Sequence, residues 1–122
     1  MRKRIIVIDD DADHLLICKL VFEKNGYQVM GLRGCREDEE LRVAVGAFKP
    51  DLIFMDHNMP GRCGMDLTRM LKSDDKYRHI PVIYFTSEEN IASLAAAAGA
   101  NGHLRKPFDI QSLLDVAHRH AV

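Results

Sequence analysis

Short apolar runs, each followed by an amphipathic stretch, constrain this chain more than any other feature. The run at 5–8 reads IIVI, that at 52–55 LIFM and that at 81–85 PVIYF. Runs of this length, bounded by polar or turn residues, have the size of strands rather than helices. They lack the alternation of a half-solvated strand, so both faces must be covered. That demands a parallel sheet with helices above and below. Two weaker strands complete the series. Residues 27–32 are less apolar, which suits a sheet edge, and 102–104 form a short fifth strand. Helical spacing fills the gaps. A helix at 12–25, with Leu15, Leu16, Leu20 and Phe22 on one face, stops at Gly26, and one at 36–48, with Leu41, Val45 and Phe48 inward, ends at Lys49-Pro50. A third at 64–72 carries Leu67, Met70 and Leu71. A fourth starts from Ser87-Glu88-Glu89, runs through 91–98 and stops at Gly99. Asp109 caps a fifth, which carries Leu113, Leu114, Val116 and Ala117. The predicted order is (βα)5, an α/β chain without repeats, linkers or low-complexity segments, so 1–122 is expected to be a single domain.

At 122 residues and 47% hydrophobic content, the chain can bury a core without disulfides. Cys18, Cys35 and Cys63 are odd in number and scattered, which fits neither a disulfide frame nor a CxxC metal site and predicts a cytoplasmic location. The net charge of −1 provides no field toward nucleic acid or an anionic membrane, so neither is expected as a direct partner. The opening MRKR imitates the charged start of a signal peptide. The apolar run behind it is far too short for that role, and no stretch could span a bilayer.

In an open α/β sheet, ligands bind outside the carboxyl ends of the strands. The first strand is followed by Asp9-Asp10-Asp11, the third by Asp56, the fourth by Thr86-Ser87 and the fifth by Arg105-Lys106-Pro107. The second ends in Gly31-Leu32-Arg33-Gly34, which carries no obvious chemistry. Parallel strands bring the four chemically loaded tips to one edge. Crowded carboxylates repel unless a cation sits among them, and oxygen ligands with several waters suit Mg2+. A metal held by two acids leaves a third carboxylate free as a nucleophile. Lys106 can offset the charge of an incoming phosphoryl group, and Thr86 can hydrogen-bond one of its oxygens. The constellation suits phosphoryl transfer onto an aspartate.

The stretches IIVIDDD, KPDLIFMDHNMPG, PVIYFTS and LRKPFD stand in the order and spacing of a known family. Over essentially its whole length the chain resembles a response-regulator receiver domain of two-component signalling. The resemblance implies a doubly wound, flavodoxin-like three-layer sandwich with sheet order 2-1-3-4-5. It implies that Asp56 is the phosphoacceptor, and that Asp9 and Asp10 bind Mg2+ together with Asp56 and the backbone carbonyl of Asn58. Asp11 is read as loop surface. Lys106 is implied to contact the phosphoryl group, aimed by a cis bond to Pro107, and Thr86 to move toward the phosphoryl oxygens once they arrive. The family often carries Tyr or Phe three residues before the lysine as a rotamer switch. Here the position is His103, which can swing in the same slot or act as an ordinary strand histidine. Asn58 and Glu88 occupy places that tune acyl-phosphate hydrolysis, and an amide and an acid there imply a short-lived signal. The implied donor is a sensor histidine kinase or a histidine phosphotransfer protein. The implied reader is an output protein or domain at the face of the fourth helix, fifth strand and fifth helix. The fourth helix has few charges for a salt-bridged interface, so a monomer is expected, with dimerisation on phosphorylation as the alternative. Stand-alone regulator and receiver cut from a longer protein both remain open.

Other readings compete with this one. A Mg2+-dependent phosphohydrolase of the haloacid-dehalogenase type would use Asp9 as nucleophile and Asp11 as acid. That family expects Thr or Val where Asp13 stands, and Asp56 would be left without a role. A flavin carrier would need a Ser/Thr/Gly-rich phosphate loop after the first strand, where acids stand instead. His118-Arg119-His120 reads as the solvated end of a helix, Cys63 as an ordinary thiol, and the alanines at 95–98 as a close helix–sheet contact.

Overall fold

All five predicted strands join one parallel sheet in the computed structural model, which describes residues 2–121. The elements are β1 (Arg4–Ile8), α1 (Ala12–Lys24), β2 (Gln28–Leu32), α2 (Asp38–Phe48), β3 (Leu52–Met55), α3 (Gly64–Ser73), β4 (Val82–Thr86), α4 (Ile91–Ala98), β5 (Gly102–Arg105) and α5 (Ile110–His120). The strand order is β2-β1-β3-β4-β5, as the resemblance implies.

The two faces of the sheet carry separate cores, because successive side chains of a strand point to opposite sides. Ile6, Ile8, Ile53, Met55, Val82 and Tyr84 pack with Leu41 and Val45 of α2, Leu67 and Leu71 of α3, and Ile91 and Ala95 of α4. Ile5, Val7, Leu52, Phe54, Ile83 and Phe85 pack on the other face with Cys18 and Phe22 of α1 and with Leu113, Val116 and Ala117 of α5. β1, β3 and β4 are buried on both sides, which is why they lack alternation in the sequence. A row of aromatic contacts, Phe22 to Phe54 at 5.5 Å and Phe54 to Phe85 at 5.5 Å, ties α1 to the sheet centre. Each fully buried aromatic or branched side chain contributes about 1.5–3 kcal/mol.

Helix ends follow local chemistry. The Asp11 carboxylate accepts from the backbone N–H of Asp13 and His14 and caps α1, and Asp109 accepts from Ser112 and caps α5. Gly64 opens α3 where nothing larger fits: a Cβ there would lie 1.9 Å from the Asp56 carbonyl oxygen.

Two expectations need correction. On α1 the buried positions are Cys18 and Phe22, with Leu15 partly covered, spaced i, i+3, i+7. Leu16 lies about 100° round the helix from Leu15 and Leu20 about 160° from Cys18 and Phe22, and the two face solvent at 56% and 52% exposure. α4 begins at Ile91 with Asn90 at its N-cap and no side-chain cap bond, so Ser87, Glu88 and Glu89 belong to the preceding loop. Glu88 is instead drawn toward Asn58. Elsewhere the boundaries move by one or two residues.

Candidate functional site

β1 and β3 end level, with Ile8 paired to Met55, and β4 pairs Tyr84 with Met55 and runs two residues further to Thr86 at the same carboxyl end of the sheet. The next residues continue the backbone ladder rather than leaving it. Asp9 N–H donates to the Leu32 carbonyl at 3.0 Å, and Asp56 N–H to the Ile8 carbonyl at 3.0 Å. Both carboxylates are thus held on strand backbone at the rim of the core, Asp9 0% exposed and Asp56 6%. Asp10 stands exposed beside them. One oxygen from each of Asp9, Asp10 and Asp56 lies within 4.8 Å of the other two.

Lys106 crosses to this cluster from the end of β5. Its Nζ lies 2.6 Å from Asp9 Oδ2 and 3.4 Å from Asp56 Oδ2, with the Phe85 ring 4.6 Å beneath it. Its backbone N–H donates to the Thr86 carbonyl at 2.9 Å, and the Lys106–Pro107 bond is cis. Thr86 is buried at the tip of β4 and lines the same open cleft, of about 500 Å³.

Burial raises the Asp56 carboxyl above its usual range. The Lys106 ammonium opposes that rise and the Asp9 charge adds to it. The two oxygens of Asp56 are not equivalent. Oδ1 accepts from the His57 backbone N–H at 2.8 Å, while Oδ2 faces Lys106. Three carboxylates against one ammonium leave two negative charges, which a single hard dication neutralises through the oxygen ligands it prefers. The donor set therefore fits such an ion.

Of the other predicted residues, Asn58 and Glu88 meet, with the Asn58 amide donating to Glu88 Oε1 at 2.6 Å. His103 does not join the cluster. It lies on β5 opposite Tyr84, with its side chain exposed. Asp11 is occupied by its capping bonds, which hold its carboxyl below the usual range. Sequence reasoning missed three participants. His14, in the first turn of α1, places Nδ1 3.2 Å from Asp9 Oδ2. His57 and Tyr84 bond to each other through Nδ1 and the hydroxyl, directly beside Asp56. The signal for His14 was its place one turn after the acidic tip. A bond between β3–α3 loop and β4 leaves no trace in a single sequence.

An acid-lined cleft at the carboxyl edge of a 2-1-3-4-5 sheet defines the class: a doubly wound α/β protein whose site lies at the switch in strand order. The chain belongs to the response regulator receiver domain family, whose model matches residues 5–118. It is 29% identical to the polar-differentiation response regulator DivK of Brucella anthropi over 121 residues, covering 94% of this chain and 93% of that protein. It is 30% identical to the chemotaxis protein CheY-3 of Vibrio cholerae over 115 residues, covering 90% and 85%. The signal receiver domain of a response regulator from Bermanella marisrubri superposes with a TM-score of 0.87 at 25% identity, covering 100% of both chains.

Proposed function

We propose that this chain is a phosphorylation-controlled switch, a receiver domain spanning 1–122 that takes a phosphoryl group from phosphohistidine onto Asp56. One observation carries the reading. A buried carboxylate oxygen, Asp56 Oδ2, faces an ammonium 3.4 Å away in a cleft also lined by Asp9, Asp10, Asp11 and Thr86. Oδ2 forms the bond to phosphorus as the phosphorus–nitrogen bond of the donor breaks, and the departing imidazole keeps the electron pair and takes up a proton. Lys106 balances the charge on the phosphoryl oxygens, and the Thr86 hydroxyl donates to one of them. Asp9, Asp10, Asp56 and the Asn58 carbonyl would hold Mg2+, which would supply neutralisation of the charge gathered between carboxylates and phosphoryl group. The donor is a sensor histidine kinase or a histidine phosphotransfer protein. An output partner reads the face of α4, β5 and α5, and the chain works as a cytoplasmic monomer. No helix among the described residues is long and apolar enough to cross a membrane.

Nothing favours the phosphohydrolase alternative. Asp9, its nucleophile, is fully buried, with Oδ1 bonded to the Asp11 N–H and Oδ2 to Lys106 and His14.

The test is intact mass after incubation with Mg2+ and a small acyl phosphate, for wild type and Asp56→Asn. One added phosphoryl group that requires Mg2+ and is lost in Asp56→Asn supports the reading. Labelling that survives in Asp56→Asn moves the nucleophile to the Asp9 cluster. Asn58 lines the cleft and its amide donates to Glu88, so an amide and an acid would be available to hold a hydrolytic water. The label is therefore expected to decay soon after the donor is removed, and a label that persists for many hours contradicts this.

A further inference from the structure

We propose that Tyr84 and His57 are a positioning pair that presents one particular oxygen of Asp56, Oδ2, to the incoming phosphorus. The inference rests on the receiver reading above and adds residues that reading does not use. Tyr84 is fully buried on β4, two residues before Thr86, on the face covered by α3 and α4. A buried tyrosine hydroxyl needs a partner, and this one bonds His57 Nδ1. Burial pushes the hydroxyl well above its usual pKa, so the O–H is retained. The bond ties the ring of a loop residue to a rigid central strand.

The main chain of His57 is held from two further directions. Its N–H donates to Asp56 Oδ1 at 2.8 Å, and its carbonyl accepts from Gly64 N–H at 3.0 Å. The start of α3 is pressed against the Asp56–His57 peptide too closely to admit a Cβ at Gly64. His57 is thus fixed at three points, one of them the Tyr84 hydroxyl. The consequence falls on Asp56. With Oδ1 taken by the peptide N–H, Oδ2 is turned to Lys106 and the open cleft. When Oδ2 bonds to phosphorus and the donor's leaving group departs with its electron pair, Oδ1 becomes the carbonyl oxygen of the acyl phosphate and keeps the His57 N–H. Without the tyrosine hydroxyl the imidazole loses its anchor, the peptide N–H is free to tilt, and the carboxylate spends time in orientations that do not aim Oδ2. That removes pre-organisation without touching a ligand or the nucleophile.

The test is the time course of phosphorylation from acetyl phosphate with Mg2+, followed by intact mass for wild type, Tyr84→Phe, His57→Leu and the double variant. Tyr84→Phe keeps the ring that fills the core, and thermal melts with circular dichroism verify the fold of each variant. Each single substitution is expected to lower the limiting rate roughly three- to tenfold, the range of one net hydrogen bond, with the half-saturating donor concentration unchanged. The double variant is expected to be no slower than the slower single, because both remove the same bond. His57→Asn, whose side-chain oxygen stands near the place of Nδ1, is expected to recover most of the rate. A Tyr84→Phe rate equal to wild type overturns the proposal, as does a double variant slowed by the product of the two single effects. A wild-type chain that takes no phosphoryl group overturns the receiver reading itself and the pair with it, and is told apart by the wild-type arm alone.

Discussion

Asp56 is a carboxylate kept where desolvation works against its charge, and its stability effect has a defined sign. Its folded pKa lies above the free value of 3.8. The protonated form is therefore favoured by folding, and the stability this gives is fully present below the free value and lost as pH rises through the folded one. At neutral pH without divalent cation, Asp56→Asn is expected to melt at a higher temperature than wild type. The gain should fade as pH falls toward 3.8, where the wild-type carboxyl is neutral as well. Melting curves across that range decide it, and a gain that grows in acid contradicts the account. Neighbouring acids separate by role. Asp11→Ala removes the α1 cap and is expected to lower the melting temperature by a few degrees while leaving Asp56 labelling intact. Asp10→Ala is expected to abolish Mg2+-dependent labelling with little loss of stability, since Asp10 is exposed and its carboxylate makes no cap bond or ion pair among the described residues. The reverse pattern would mean the two acids had been assigned the wrong way round.

At the scale of elements, α1 departs furthest from its pattern. Its leucines at 16 and 20, with Ile17 at 49% exposure, form an uncovered apolar stripe on the helix that follows the acidic tip of β1. Ile17 also lines a small apolar pocket with Cys18 and Phe108, beside Lys106. Under the proposed function a phosphohistidine donor has to cover the cleft to deliver its group, and the exposed stripe on α1 would then be available for it to contact. Leu16→Ser with Leu20→Ser is expected to leave the acetyl phosphate rate within about twofold of wild type, because neither residue touches the core, and to slow transfer from a phosphohistidine protein at least about tenfold. Equal slowing with both donors would show that the stripe supports the fold rather than docking. The strands were legible in proportion to their burial. β1, β3 and β4 announce themselves as unbroken apolar runs. β5 reads only GHLR, because its odd positions face solvent at the sheet edge.

Across the whole molecule, the cleft joins the tips of four strands, and under the proposed function its phosphorylation would be read through β4 and β5 at α4 and α5. Thr86 and Tyr84 share one face of β4, opposite Arg105 and His103 of β5. Movement of Thr86 toward a phosphoryl group must therefore disturb the β4–β5 edge, while β1 and β3, packed on both faces, stay put. Phosphorylation is expected to change amide hydrogen exchange in α4, β5 and the start of α5, and to leave β1 and β3 unaltered. Exchange measured with and without donor checks this, and a change confined to β1 and β2 would contradict it.

The amino-acid sequence alone determined the class, the strand order through its family resemblance, and the four loaded tips, because burial on two faces and position at a strand end both leave marks in a linear pattern. It also named the acids, the threonine and the lysine that meet at the cleft, since parallel strands leave their carboxyl ends only one edge to share. Tertiary structure decided what depends on angles and on distant partners: the outward turn of Leu16 and Leu20, the exposure of His103, the approach of His14 to Asp9, and the bond between His57 and Tyr84. Residues 57 and 84 are joined only once β3 and β4 lie side by side. A hydrogen bond formed by that juxtaposition has no periodicity, no spacing rule and no composition to betray it beforehand.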